Sequence, residues 1–127
     1  MALIIDLKPS ERIIIGTALI TNDENRTRLH IEGGAAILRE KDIMREQEAT
    51  SPCKKIYFTI QMMYLSPDPK SLHDAYFGNI RAIQEAAPST APYFMRINDH
   101  IMDSHYYKAL KEARALIDYE TELLSNA

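Results

Sequence analysis

One cysteine, four glycines and no tryptophan stand in a chain of 127 residues. Cys53 alone cannot close an intramolecular disulfide or supply the thiolates of a zinc cage, which agrees with a reducing compartment. Long apolar runs are missing too. Ile13-Ile14-Ile15 and the stretch from Ile56 to Leu65 are far shorter than the roughly 20 residues that a membrane-spanning helix requires. The opening Met1-Ala2-Leu3-Ile4-Ile5-Asp6 has neither the basic start nor the small-residue cleavage site of a signal peptide, so the expected location is the cytoplasm. An excess of positive charge is also absent. The net charge of -3 and pI near 5.8 argue against the whole-surface positive field of a non-specific nucleic-acid binder.

Apolar residues at 46% and charged residues at 26% are ordinary for a soluble compact chain and speak against wholesale disorder. Charge is unevenly shared. Residues 1–55 carry nine basic side chains against nine acidic ones, and residues 56–127 carry six against nine, which places any anion-binding patch in the first half.

That first half reads as short β-branched runs cut by turn chemistry. Leu3, Ile5 and Leu7 alternate with other residues, and Lys8-Pro9-Ser10-Glu11 follows as a turn. Arg12 to Thr21 forms a second run in which Gly16 marks a bulge or tight bend. After the turn Asn22-Asp23-Glu24-Asn25, the residues Thr27, Leu29 and Ile31 alternate with Arg26, Arg28, His30 and Glu32, as in a half-buried strand with a charged outer face. Gly33-Gly34 interrupts, and Ala35 to Leu38 reads as a further short strand.

The second half reads as helical. Thr50-Ser51-Pro52 sets capping hydroxyls before a proline suited to a first turn, predicting a helix from Pro52 to about Leu65. Ile56-Tyr57-Phe58-Thr59-Ile60 also has strand propensity, which keeps a strand open there. Leu72, Tyr76, Ile80, Ile83 and Ala87 make one helical stripe. Phe94, Ile97, Ile101 and Met102 mark a short helix, and Tyr106, Leu110, Ala113, Ile117 and Leu124 mark a longer one. Asp103-Ser104-His105 either separates the two or is traversed. The expected class is therefore α+β, with an antiparallel β subdomain over residues 1–48 and a helical subdomain over 49–127.

Catalytic chemistry is hard to assemble from this inventory. His30, His73, His100 and His105 fit no zinc spacing, and no metal or cofactor is expected. Cys53 sits beside Lys54, Lys55 and a helix start, a setting that lowers a thiol pKa, but no partner histidine is identifiable. No carboxylate pair surrounded by apolar residues suggests acid–base work, and the expectation is a non-enzyme. Two features stand out. Arg12, Arg26, Arg28, Arg39 and Lys41 lie on or beside strands, either as a stripe that contacts phosphates and unpaired bases or as a solvated, salt-bridged face. The helical half is rich in aromatics and methionines, among them Tyr57, Met62, Met63, Tyr76, Phe94, Met95 and Tyr107, more than one stripe needs, which suggests a surface for a partner protein or a second subunit.

The run Ala36-Ile37-Leu38-Arg39-Glu40-Lys41-Asp42-Ile43-Met44, then Thr50-Ser51-Pro52, Lys55-Ile56-Tyr57-Phe58 and Met62-Met63-Tyr64-Leu65, resembles the signature of the FlbT family of flagellin-synthesis regulators. Leu7-Lys8-Pro9 with Glu11 fits as well, and the similarity covers essentially the whole chain. It implies a repressor of flagellum biogenesis that binds the 5′ untranslated region of flagellin mRNA and shortens its lifetime or limits its translation; some members of the family promote flagellin production instead. More faintly, Glu11-Arg12-Ile13-Ile14-Ile15-Gly16 and Ile37-Leu38-Arg39-Glu40 are similar to segments of the carbon-storage regulators, small RNA-binding β proteins. That likeness implies a related β unit, RNA contacts from Arg39 and Lys8, and a homo-oligomer. Leu7-Lys8 stands where that family has a double arginine and Ser10 where it has glycine, so recognition of its GGA motif does not carry over.

Two expectations result. In the first, a flagellin mRNA leader lies on the β half and contacts Lys8, Arg12, Arg28, Arg39 and Lys41. In the second, the aromatic helical face binds flagellin or a flagellar chaperone as an adaptor.

Overall fold

A computed structural model describes residues 2–126. The chain is α+β and divides into two compact units, one ending at Ile43 and one beginning at Met44, with the strands in the first and the α helices in the second. Residues 44–48, which composition groups with the strands, belong to the helical unit. The buried Gln61 amide explains why: it accepts from the Met44 N–H at 2.7 Å and donates to the Met44 carbonyl at 2.9 Å.

The β unit contains two small antiparallel sheets. Strands β1 (Leu3–Leu7) and β4 (Thr27–Ile31) pair with Asp6 opposite Arg28. In the other sheet β2 (Arg12–Ile15) lies between β3 (Ala18–Thr21) and β5 (Ile37–Arg39). The period-2 alternation turns Ile5, Leu7 and Ile13 inward, where Ile15, Leu29, Ile31 and Ile37 pack against them. Gly16 takes a positive φ of 63° and, with Thr17, turns β2 directly into β3. The tight bend expected at Gly16 is thus a hairpin turn, and a left-handed backbone there suits glycine. Asn22 ties the neighbouring loops together by donating its side-chain amide to the carbonyls of Lys8 (2.8 Å) and Asn25 (2.9 Å).

In the helical unit, α1 spans Pro52–Leu65. Its start is the one the punctuation predicts: the Ser51 hydroxyl accepts from the Lys54 N–H at 3.2 Å and Pro52 opens the first turn. Ile56, Tyr57, Ile60 and Met63 are buried on one helical face, so helical spacing prevails over the strand propensity of 56–60. Helix α2 (His73–Ala86) buries Tyr76, Ile80 and Ile83. Helices α3 (Ala91–Met102) and α4 (Tyr106–Ser125) are separate. Ser104, at a φ of 60°, ends the first of them in a left-handed conformation. Helix α4 buries Leu110, Ala113 and Ile117, whereas Leu124, on the expected stripe, is 65% exposed. Among the described residues no helix is long and apolar enough to cross a membrane.

Candidate functional site

A group of unlike charges at short range lies at the β1–β4 sheet. Because Asp6 and Arg28 are directly opposed across the ladder, the Arg28 Nε donates to Asp6 Oδ1 at 2.9 Å. Arg39 reaches the same residue from the other sheet and donates from Nη2 to the Asp6 main-chain carbonyl at 3.1 Å. Arg26 completes the group beside a depression of about 320 Å³ lined by Asp6, Arg26, Thr27 and Arg28. The hydrogen bond and charge of Arg28 hold the Asp6 carboxyl below its usual value, and Arg26 and Arg39 add to this from further away. Asp6 thus holds an ion pair with Arg28 on its carboxylate and a hydrogen bond from Arg39 on its main-chain carbonyl, with Arg26 lining the depression beside it.

The five sequence candidates do not form a single stripe. Arg28 and Arg39 meet at Asp6, and Arg39 also faces Glu11 at 3.9 Å. Arg39 lies opposite Ile13 in the register, on one face of the β2–β5 pair, while Arg12, the next residue, belongs to the other face and pairs with Glu40 at 3.5 Å. Lys41 is exposed in the short 3-10 turn Glu40–Asp42, between two acidic neighbours. Lys8 follows β1, and its backbone N–H donates to Glu11 Oε1 at 2.8 Å. Arg12, Arg28 and Arg39 therefore each have a carboxylate neighbour. Arg26 has none at ion-pairing distance among the described residues. These pairs are more than two-fifths exposed on the arginine side, and exposed pairs of this kind are worth only ~0–1 kcal/mol, so a competing anion can exchange with them.

Alternation along β4 put Arg26 and Arg28 on one face in the sequence. The role of Asp6 had no sequence signal, because its partners arrive from positions 22 and 33 residues away.

The helical unit offers a different surface. An apolar groove of about 480 Å³ runs between the start of α1, the end of α2 and the end of α4, lined by Cys53, Ala82, Ile83, Ala86, Leu123 and Leu124. At its edge Glu120 fastens the start of α1: it accepts from the Ser51 hydroxyl and from the Cys53 N–H at 3.0 Å. Burial, with the Glu120 carboxylate next to it, pushes the Cys53 thiol up to about 12. This reverses the lowering expected from Lys54, Lys55 and the helix start, since the side chain is 2% exposed. Of the histidines, His73 meets the Tyr106 hydroxyl at 3.2 Å. No group of three metal-ligating side chains converges among the described residues. Part of the aromatic and methionine surplus is core, with Tyr57, Met63, Tyr76, Phe94 and Tyr106 buried, but Met95 and Met102, seven residues apart on α3, are about 70% exposed.

Residues 3–124 match the family described as Flagellar protein FlbT. A protein of Bradyrhizobium diazoefficiens named probable flagellum biosynthesis repressor protein FlbT 1 is 48% identical over 124 residues, covering 97% of this chain and 85% of that one. A Rhodopseudomonas palustris protein named probable flagellum biosynthesis repressor protein FlbT is 47% identical, covering 98% of this chain and 99% of its own length. The flagellum biosynthesis repressor protein FlbT of Caulobacter vibrioides is 33% identical, covering 99% of this chain and 92% of its own. No solved structure matches the chain at a significant level.

Proposed function

The chain belongs to the FlbT family, and on that premise we propose that it represses flagellum biosynthesis after transcription, by binding the 5′ untranslated leader of flagellin mRNA in the cytoplasm and lowering its stability or translation. The observation that carries this reading is the convergence of Arg26, Arg28 and Arg39 around Asp6. Guanidinium groups suit an unpaired message. Their planar donors fork onto phosphate oxygens, and their faces stack on splayed bases. A chain with net charge -3 does not attract nucleic acid over its whole surface, so binding is local and the ionic contribution modest. Three phosphate contacts to a single strand correspond to a log–log salt slope of about -2.

A gel-shift or anisotropy titration of a flagellin leader across a salt series tests this. The expected outcome is saturable binding with that shallow slope, weakened roughly tenfold in Arg28→Ala and in Arg39→Ala. Arg12→Ala, on the other face, changes affinity less than twofold. Absence of any shift, together with co-purification of flagellin, favours the adaptor reading instead. That reading has its own support in the exposed Met95 and Met102 and in the apolar groove, features suited to flagellin or a flagellar chaperone. Self-association accompanies either reading. Edge strand β3 exposes Leu19 and Ile20 with no charged residue to protect it, and sedimentation of the chain gives the oligomeric state.

A further inference from the structure

We propose that Asp6 is a resident competitor: its carboxylate occupies, on Arg28 and beside Arg26, the seat that a backbone phosphate of the bound single-stranded RNA takes, with Arg39 fixed on the Asp6 main chain, and it is displaced when the RNA binds. The identity of the ligand rests on the reading above; the anion seat itself rests on geometry alone.

Five observations converge on it. Asp6 is held by a single hydrogen bond, Arg28 Nε to Oδ1 at 2.9 Å, and not by the parallel pair that a guanidinium offers to an anion bound through its fork. Arg39 is anchored through the main-chain carbonyl of Asp6, so it stays in place when the carboxylate leaves. Its other partner, Glu11, stands at 3.9 Å, well beyond a strong charge-assisted contact. Arg26 lines the depression together with Asp6 and Arg28 and adds a second guanidinium there, and the depression is the room a displacing phosphate needs. Both partners of the Asp6–Arg28 pair are more than half exposed, so water readily takes over the carboxylate when it swings out.

The device has a consequence for selectivity. A seated carboxylate turns away small or weakly held anions, and only a ligand with further contacts, such as bases stacked on neighbouring guanidiniums, recovers the loss. Affinity is thereby lowered for every anion and discrimination raised between message and bulk polyanion.

Asp6→Asn is the sharpest test, because it keeps the shape and an oxygen acceptor for Arg28 while removing the charge. Anisotropy of a labelled flagellin leader at low salt is expected to show roughly three- to tenfold tighter binding by Asp6→Asn than by the unsubstituted chain, with the gain shrinking as salt rises. In an Arg28→Ala background the same substitution is expected to gain less than twofold. Unchanged or weaker binding by Asp6→Asn, with leader binding intact in the unsubstituted chain, overturns the proposal. A second probe separates the seat from the reading it serves. Inorganic pyrophosphate, titrated while the Arg28 Nε–H resonance is followed, is expected to bind Asp6→Asn more tightly than the unsubstituted chain. If pyrophosphate does so and the leader binds neither form, the seat stands and the message-binding reading falls. If pyrophosphate leaves the Arg28 resonance of Asp6→Asn unmoved, the seat itself falls.

Discussion

The two units differ in where their polar side chains do most of their fastening. In the helical unit they fasten structure: Gln61 closes a loop onto Met44, Glu120 ties down the start of α1, and the Tyr76 hydroxyl donates to Asn98 at 2.7 Å. No buried side-chain polar atom among the described residues lacks a partner. In the β unit Asp42 is buried, but Arg12, Arg28 and Arg39 lie on the outside, each beside a carboxylate in a pair exposed on the arginine side. The hydrophobic content differs in parallel. Among the described residues, eighteen buried hydrophobics belong to the unit that begins at Met44, against Ile5, Leu7, Ile13 and Leu38 in the other. A unit with so few core residues is the less strongly held of the two and the easier to open locally.

If that division holds, the largest loss of stability comes from the helical core. Phe94 is fully buried, and Phe94→Ala removes its packing and leaves a cavity, at an expected cost of about 3–5 kcal/mol in urea unfolding. A loss below ~1 kcal/mol would mean that the helical core is loose enough to collapse around the gap, and the contrast between the units would lose its basis.

A smaller effect, again in the helical unit, is expected at Glu120. Glu120→Ala strips two hydrogen bonds from the first turn of α1, and the unfolding midpoint is expected to move by the equivalent of about 1–2 kcal/mol. The Cys53 thiol reports locally on the same change. It is sealed by burial, and freeing the turn is expected to speed its labelling by a thiol reagent at pH 8. Unaltered labelling would show that α1 is held by its apolar face alone.

Much of this contrast was legible in the sequence. Ser51-Pro52 announced the start of α1, and Tyr76, Ile80 and Ile83 traced the buried stripe of α2, because capping and helical period are local signals. Thr27, Leu29 and Ile31 marked the inner face of β4 for the same reason. What escaped is whatever depends on partners brought from afar. Nothing in the neighbourhood of Glu120 points to Ser51, 69 residues away, and nothing near Asp6 points to Arg39. A linear charge count also treats Arg12 and Arg39 alike, although the pleat sends them to opposite faces of one sheet. The α3–α4 boundary needed the left-handed backbone at Ser104, a conformation that serine rarely takes and so does not advertise.

The smallest effect is also the most discriminating, because it concerns a group that contributes little to folding. The folded-state pKa of Asp6 is depressed, so ionised Asp6 favours the native state above the unfolded value of about 3.9, and that contribution fades as pH falls through the lower folded value. Near neutrality that contribution is fully present and does not vary with pH, so the quantity to follow is the Asp6 carboxyl resonance through an acid titration. Its midpoint is expected below 3.9 in the unsubstituted chain, to rise most in Arg28→Ala, which removes both the hydrogen bond and the nearest charge, and to rise by lesser amounts in Arg26→Ala and Arg39→Ala. Should only Arg28→Ala move it, Asp6 and Arg28 are an ordinary exposed pair, and the β surface is no better prepared to hold an anion than the Arg96–Glu112 pair of the helical unit, at 3.1 Å. Graded responses from all three arginines would mean that three cations share one carboxylate, the condition under which a phosphate can replace it.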